Sequence, residues 1–193
     1  AQFHKAHPDF SLLMIGRGPD KSTISELVHE LGLEASVEMR DFVPNVELPD
    51  IYRNARAFVL PSLEEGVPRS ILEAMACGVP VVCTELPQLV DIVSGAGCLV
   101  PLRDSQSIAE QLDRLVRYPE WADDLGREGA RRARSHYSWD NTVKGTLDLY
   151  KQVIGNGRES YSSGGEDTIS LLDHSYVTDP IETSIMDSSE GNR

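Results

Sequence analysis

PSLEEGVPRSILEAMACGVPVV, residues 61–82, decides how the rest of this chain is read. The β-branched and apolar run before it, Ala57 to Leu60, reads as a buried strand, and Gly66-Val67-Pro68 is a step at which a helix starts. Pro68 suits a first helical turn, where its missing N–H costs nothing. Gly78 stops the helix just before a second apolar strand, Pro80 to Cys83. Ile71, Leu72 and Met75 fall at core spacing, whereas Glu73 sits among them where packing alone does not explain a carboxylate. Strand end, loop and helix start therefore coincide, with one acid before the helix and one inside it.

Those acids are Glu65 and Glu73, with seven residues between them. The free N–H groups expected at residues 66 to 69, less the one that Pro68 lacks, stand at the positive end of the helix dipole, a place for a phosphate or a polarised hydroxyl. A second-turn carboxylate such as Glu73 is suited to accept hydrogen bonds from the vicinal hydroxyls of a ribose, because one carboxylate matches two adjacent O–H donors. The alternative is bland: an acid at a helix start and a surface acid on an amphipathic helix.

With P-S ahead of the two acids and E-A-M-A-x-G-x-P-V after them, the stretch closely resembles the E-x7-E region of retaining glycosyltransferases with the two-domain GT-B fold, the glycosyltransferase family 4 group in particular. The resemblance implies that Glu65 lies near the donor sugar hydroxyls and Glu73 on the nucleotide ribose, with Gly66 and Val67 offering backbone N–H groups. HPDFSLLMIGRGP, residues 7–19, is similar to the family's Gly-rich turn, so Gly16 is a candidate for donor contact, with a plain strand-to-helix turn as the alternative. The family places the nucleobase against the loop after the next strand, which makes Arg40, Asp41 and Phe42 base-side candidates, although Asp41 stands where the family usually has Gly. Thr84 is a further candidate to face the site, but the paired glycines usual in the following loop are absent.

The implied reaction is hexosyl transfer from a nucleotide diphosphate sugar to a hydroxyl acceptor with retained anomeric configuration, needing neither a cofactor nor a metal ion. Glu65 would orient the donor, not attack it covalently. The resemblance covers residues 1 to about 153, the later part of the C-terminal, donor-binding domain. Expected from it are a Rossmann-like parallel sheet lacking that domain's first strand and its G-R-x-x-x-x-K-G segment, and a missing N-terminal acceptor domain or partner subunit, through which peripheral membrane association would run. A non-catalytic GT-B-like interaction module is the alternative reading, and a related epimerase fits the motif less well.

Composition agrees with one α/β domain over 1–154 and an acidic tail over 155–193. The 31 acids against 18 basic residues, a net charge of −13, argue against nucleic acid, whose phosphates require a basic surface. This acidity suits a cytoplasmic protein, or one from a high-salt cytoplasm. No apolar run approaches the roughly 18 residues of a membrane span, and no secretory signal opens the chain. Cys77, Cys83 and Cys98 lie in or beside buried elements without C-x-x-C spacing, and the five histidines show no ligand spacing.

Strands are expected near 10–15, 37–42, 57–60, 80–83 and 97–100, alternating with helices, as in a parallel sheet covered on both faces with ligands at its carboxyl ends. Residues 84–90 read as loop. Arg127, Arg131, Arg132 and Arg134 read as a solvated face, and Gly126 and Gly129 as weak points of their helix. Tyr137 to Val153 resembles the family's closing helix, which docks on the other domain in a complete enzyme. From Gly155 the periodicity disappears; residues 156–193 hold eight acids and two arginines, −6 of the net charge, and are expected to be disordered.

Overall fold

The computed structural model describes residues 1–161. Its elements run α1 (Gln2–Ala6), β1 (Leu12–Ile15), α2 (Lys21–Glu30), β2 (Val37–Arg40), α3 (Leu48–Asn54), β3 (Phe58–Leu60), α4 (Arg69–Ala76), β4 (Val81–Thr84), α5 (Pro87–Val93), β5 (Gly97–Val100), α6 (Ser105–Arg117), α7 (Pro119–His136) and α8 (Trp139–Tyr161). Ala1–Leu147 form one compact unit and Asp148 onward a second, of which the described part is the C-terminal portion of α8.

Among the described residues all strand pairs are parallel, and they form two sheets: β1 with β2, and β3-β4-β5 in that order. The expected α/β architecture is present, but one continuous sheet is not. In a doubly wound sheet of order 3-2-1-4-5-6 the first strand lies between the second and the fourth. With β1, β2 and β3 in the second, third and fourth places, a sheet without its first strand divides where this one does.

Strand β4 is the centre of the larger sheet and every residue in it is buried. Its alternate side chains feed two cores, because successive Cβ atoms of a strand point to opposite faces. Val81 and Cys83 pack with Ile71 and Met75 of α4 and with Leu89, Ile92 and Val93 of α5. Val82 packs with Cys98 and Val100 of β5, Leu115 of α6, and Ala122 and Leu125 of α7. Burial of a side chain such as Ile71, Met75 or Leu89 contributes about 1.5–3 kcal/mol.

Helix α4 is where sequence and packing meet most closely. Ile71, Ala74 and Met75 are buried at i, i+3, i+4 spacing, and Gly78, at φ +78°, turns the chain back into β4. Helix α7 crosses this turn so closely that a Cβ on Gly126 would collide with the Gly78 carbonyl oxygen. Gly126 is thus a point of close approach and not a weak point of the helix.

Two expectations need correction. Of residues 84–90, read as loop, the last four belong to α5 (Pro87–Val93), with Pro87 in the first turn and Leu89, Ile92 and Val93 buried. On α7 the expected solvated face holds for Arg127, Arg131 and Arg134, which are exposed, with Arg127 paired to Asp124 and Arg131 to Glu128; Arg132 departs from it, at 20% exposure, pairing with Glu128 while its Nη1 donates to the carbonyls of Ile92 and Ser94 at 3.0 and 2.8 Å. The change in composition at Gly155 does not end α8, which continues to Tyr161. The tail expected beyond it lies outside the described residues. Trp139, Val143, Leu147, Tyr150 and Ile154 of α8 are exposed. No described helix is long and apolar enough to cross a membrane.

Candidate functional site

The carboxyl end of β3 opens into residues 61–68, and this loop is held from below and from the side. Thr84, at the end of β4 and 1% exposed, donates its hydroxyl hydrogen to the Ser62 carbonyl at 2.6 Å. Gln88 Nε2, in the first turn of α5, donates to the Glu65 carbonyl at 2.6 Å. Ser62 Oγ donates to Glu65 Oε1 at 2.7 Å, so one carboxylate oxygen of Glu65 is held and the half-buried side chain is oriented. Fixing one oxygen of a carboxylate leaves the other's lone pairs available to a ligand hydroxyl.

Pro68 is the N-cap of α4, extended at φ −71° and ψ 119°, and Arg69 is the first helical residue. The unpartnered helical N–H groups are consequently those of Arg69, Ser70 and Ile71, which share only Arg69 with the expected 66 to 69. Gly66 and Val67 are exposed, and a Cβ on Gly66 would meet nothing within 4 Å, so the loop backbone is open to an approaching molecule. One helical turn into α4, Glu73 accepts a hydrogen bond from the Tyr52 hydroxyl at 3.4 Å and lies 3.8 Å from Arg69 Nη2. Burial, and then the charge of Glu73 beside it, push the Tyr52 hydroxyl pKa up to about 12, so Tyr52 stays protonated and a donor at neutral pH.

Glu65, Gly66, Val67 and Glu73 therefore lie on one loop and the helix it enters. Gly16 and Arg40 belong to the other sheet. The Gly16 amide donates to the Arg40 carbonyl at 2.9 Å, extending the β1–β2 ladder, so this N–H is not available to a phosphate. Arg40 Nε donates to Glu38 Oε1 at 2.6 Å, which raises the guanidinium pKa and lowers that of Glu38. Asp41 pairs with Lys21, whose hydrogen bond and charge lower the Asp41 pKa, and Phe42 is exposed. The expectation that Thr84 faces the site is corrected by its burial and by its bond to Ser62: it fastens the loop from beneath.

Three residues of this arrangement escaped the sequence reading. Ser62 stood in the motif as the serine three residues before Glu65, a spacing at which a hydroxyl meets a carboxylate across a turn. Gln88 had no signal while residues 84–90 were read as loop, and Tyr52, 21 residues before Glu73, had none in local spacing. Among the described residues no group of three His, Cys, Asp or Glu side chains is placed to hold a metal ion.

Residues 1–132 match the family model "Glycosyl transferases group 1". The chain is 33% identical over 143 residues to the O-antigen chain mannosyltransferase B of Escherichia coli, covering 74% of this chain and 37% of that protein. It is 36% identical over 131 residues to the D-inositol 3-phosphate glycosyltransferase of Frankia alni, covering 67% of this chain and 32% of the relative. It thus spans about a third of the length of these curated relatives. Among solved structures, the C-terminal domain of a group 1 glycosyl transferase from Francisella tularensis is 28% identical with a TM-score of 0.64, covering 71% of this chain and 74% of that one. Sucrose-phosphate synthase from Thermosynechococcus elongatus is 29% identical with a TM-score of 0.70, covering 76% of this chain and 39% of that one. A family match over more than half the chain, joined to the fold of a C-terminal domain, establishes that this chain belongs to the group 1 glycosyl transferases and carries the C-terminal domain of their GT-B fold.

Proposed function

We propose that this domain binds the nucleotide diphosphate sugar donor of a retaining glycosyltransferase, which moves a hexosyl group to a hydroxyl acceptor. Glu65 orients the sugar hydroxyls, Glu73 takes the ribose hydroxyls, and the N–H groups of the loop and of the α4 N-terminus face the polar end of the donor. The supporting observation is the pair of carboxylates flanking one helix N-terminus at a strand end, each with one oxygen hydrogen-bonded to a side-chain hydroxyl: Ser62 for Glu65 and Tyr52 for Glu73.

In this reaction the bond from the anomeric carbon to the diphosphate oxygen breaks. A bond from the same carbon to the acceptor oxygen forms on the same face, and the acceptor proton passes to the departing diphosphate. Charge develops on the leaving oxygens and on the sugar ring, where preorganised donors and a fixed carboxylate stabilise it. Acceptor binding falls to a second domain or subunit. The exposed apolar residues of α8 and the fraction of the relatives that this chain spans support that division. A reducing, cytoplasmic setting belongs to the same proposal, supported by three free cysteines.

The test is titration of the chain with UDP, GDP and ADP while backbone amide shifts are followed. Shifts concentrated on residues 62–73 support donor binding; if no nucleotide moves them, the reading fails and a non-catalytic interaction module takes its place. In the full-length enzyme Glu65→Gln is expected to lower turnover by about 10²-fold or more.

A further inference from the structure

Tyr52 lies on α3, outside the loop and helix that carry the two carboxylates, and is 8% exposed. Its ring packs edge-on against Phe58 of β3, with centroids 5.7 Å apart and planes at 74°. A tyrosine used only for packing would do as well without its hydroxyl, but this hydroxyl points across to α4 and donates to Glu73 Oε2. Among the described residues the other oxygen, Oε1, is met only by Arg69 at 3.8 Å, through a guanidinium that is 81% exposed. Glu73 is itself 40% exposed. One oxygen is thus held from the protein side by a rigid buried donor, and the other faces outward with a loose partner that a ligand can displace.

We propose that Tyr52 is a positioning residue for nucleotide recognition: it fixes the rotamer of Glu73 so that the outward side of the carboxylate meets the vicinal hydroxyls of a ribose. This rests on the reading that Glu73 binds ribose. The phenol is buried and its ring packs edge-on against Phe58, so little conformational freedom is lost when the ligand arrives. An exposed glutamate without this donor samples several rotamers, and ordering one of them on binding weakens affinity. The Tyr52 hydroxyl stays protonated across the neutral range, so the restraint is present wherever the protein is folded and Glu73 is ionised.

The experiment measures affinity of the 193-residue chain for UDP, GDP and ADP and for their 2′-deoxy counterparts, in wild type, Tyr52→Phe and Glu73→Gln. Wild type is expected to favour the ribonucleotide of its best-bound pair. Tyr52→Phe keeps the ring and should leave the melting temperature within a few degrees, while lowering ribonucleotide affinity about tenfold and 2′-deoxynucleotide affinity little, so that the discrimination collapses. Glu73→Gln should collapse it too. If Glu73→Gln removes the discrimination and a folded Tyr52→Phe retains it in full, the positioning role is overturned and the donor site stands. If wild type does not discriminate, or Glu73→Gln leaves discrimination intact, the ribose reading fails and takes this inference with it. Should Tyr52→Phe not fold, Glu73→Asp, which draws the carboxylate back from the hydroxyl by one methylene, is expected to give the same collapse, and full retention there overturns the proposal.

Discussion

Ser62 and Glu65 are joined within one loop, Ser62 Oγ to Glu65 Oε1 at 2.7 Å, and the carbonyl of the same serine is held at 2.6 Å by buried Thr84. The two bonds have different consequences. Thr84→Val removes the donor in a nearly isosteric way and strands the Ser62 carbonyl, which is expected to destabilise the fold by about 1–3 kcal/mol in urea denaturation. Ser62→Ala keeps the Thr84 bond and releases only Glu65, so stability should change by less than about 1 kcal/mol while the full-length enzyme loses turnover. Equal stability losses in the two variants would contradict this division.

The close approaches in the fold predict a second set of effects. A Cβ on Gly97 would lie 2.7 Å from both the Val81 carbonyl oxygen and Val93 Cγ1, and one on Gly126 would meet the Gly78 carbonyl. Gly97→Ala and Gly126→Ala are each expected to cost about 1–3 kcal/mol by overpacking, since backbone and not a flexible side chain must move. Gly66→Ala enters open space and should be nearly neutral for stability, which makes it the control in the same thermal melts.

The region around Glu65 and Glu73 was legible because glycine and proline punctuate it. Gly78 and Pro80 bound the end of α4 and the start of β4 to within a residue or two of the observed limits. Helix α5 was not legible while its stretch was matched to a glycine pair that is absent, although Pro87 followed by Leu89, Ile92 and Val93 carries a helix start and helical apolar spacing. The roles of Thr84 and Tyr52 were hidden for another reason: which way a hydroxyl points depends on tertiary neighbours, and no period in the sequence encodes it. Arg132 of α7 shows the same limit, since its carbonyl partners at Ile92 and Ser94 lie about 40 residues away.

Thiol chemistry follows from burial. Cys83 and Cys98 are buried in β4 and β5, and burial pushes the Cys83 thiol up to about 12 and raises that of Cys98. The thiolate is the nucleophile, so both should resist alkylation in the native state. Cys77, half-buried at the end of α4, is the one expected to react. Native mass spectrometry after iodoacetamide at pH 8 should show a single adduct, rising to three in denaturant; modification of Cys83 before unfolding would contradict the packing described.

Acid sensitivity is expected to run in part through Glu128. The Arg131 hydrogen bond, helped by the charge of Arg131 and by Arg132, brings its carboxyl from 4.5 down to about 2. A carboxyl whose folded pKa is depressed binds fewer protons in the folded than in the unfolded state between those two values, so its contribution is complete above about pH 4.5 and drains away as the pH falls towards 2. Glu128→Gln removes this contribution at neutral pH and has nothing further to lose in acid. The melting temperatures of wild type and Glu128→Gln, followed from pH 7 to pH 3, should therefore converge as the pH drops, with Asp104 and Asp113, also lowered, keeping a slope in both curves. Because Glu128 is on the surface, the gap at pH 7 should also shrink in 0.5 M salt, and curves that stay parallel at every pH would remove Glu128 from the acid transition.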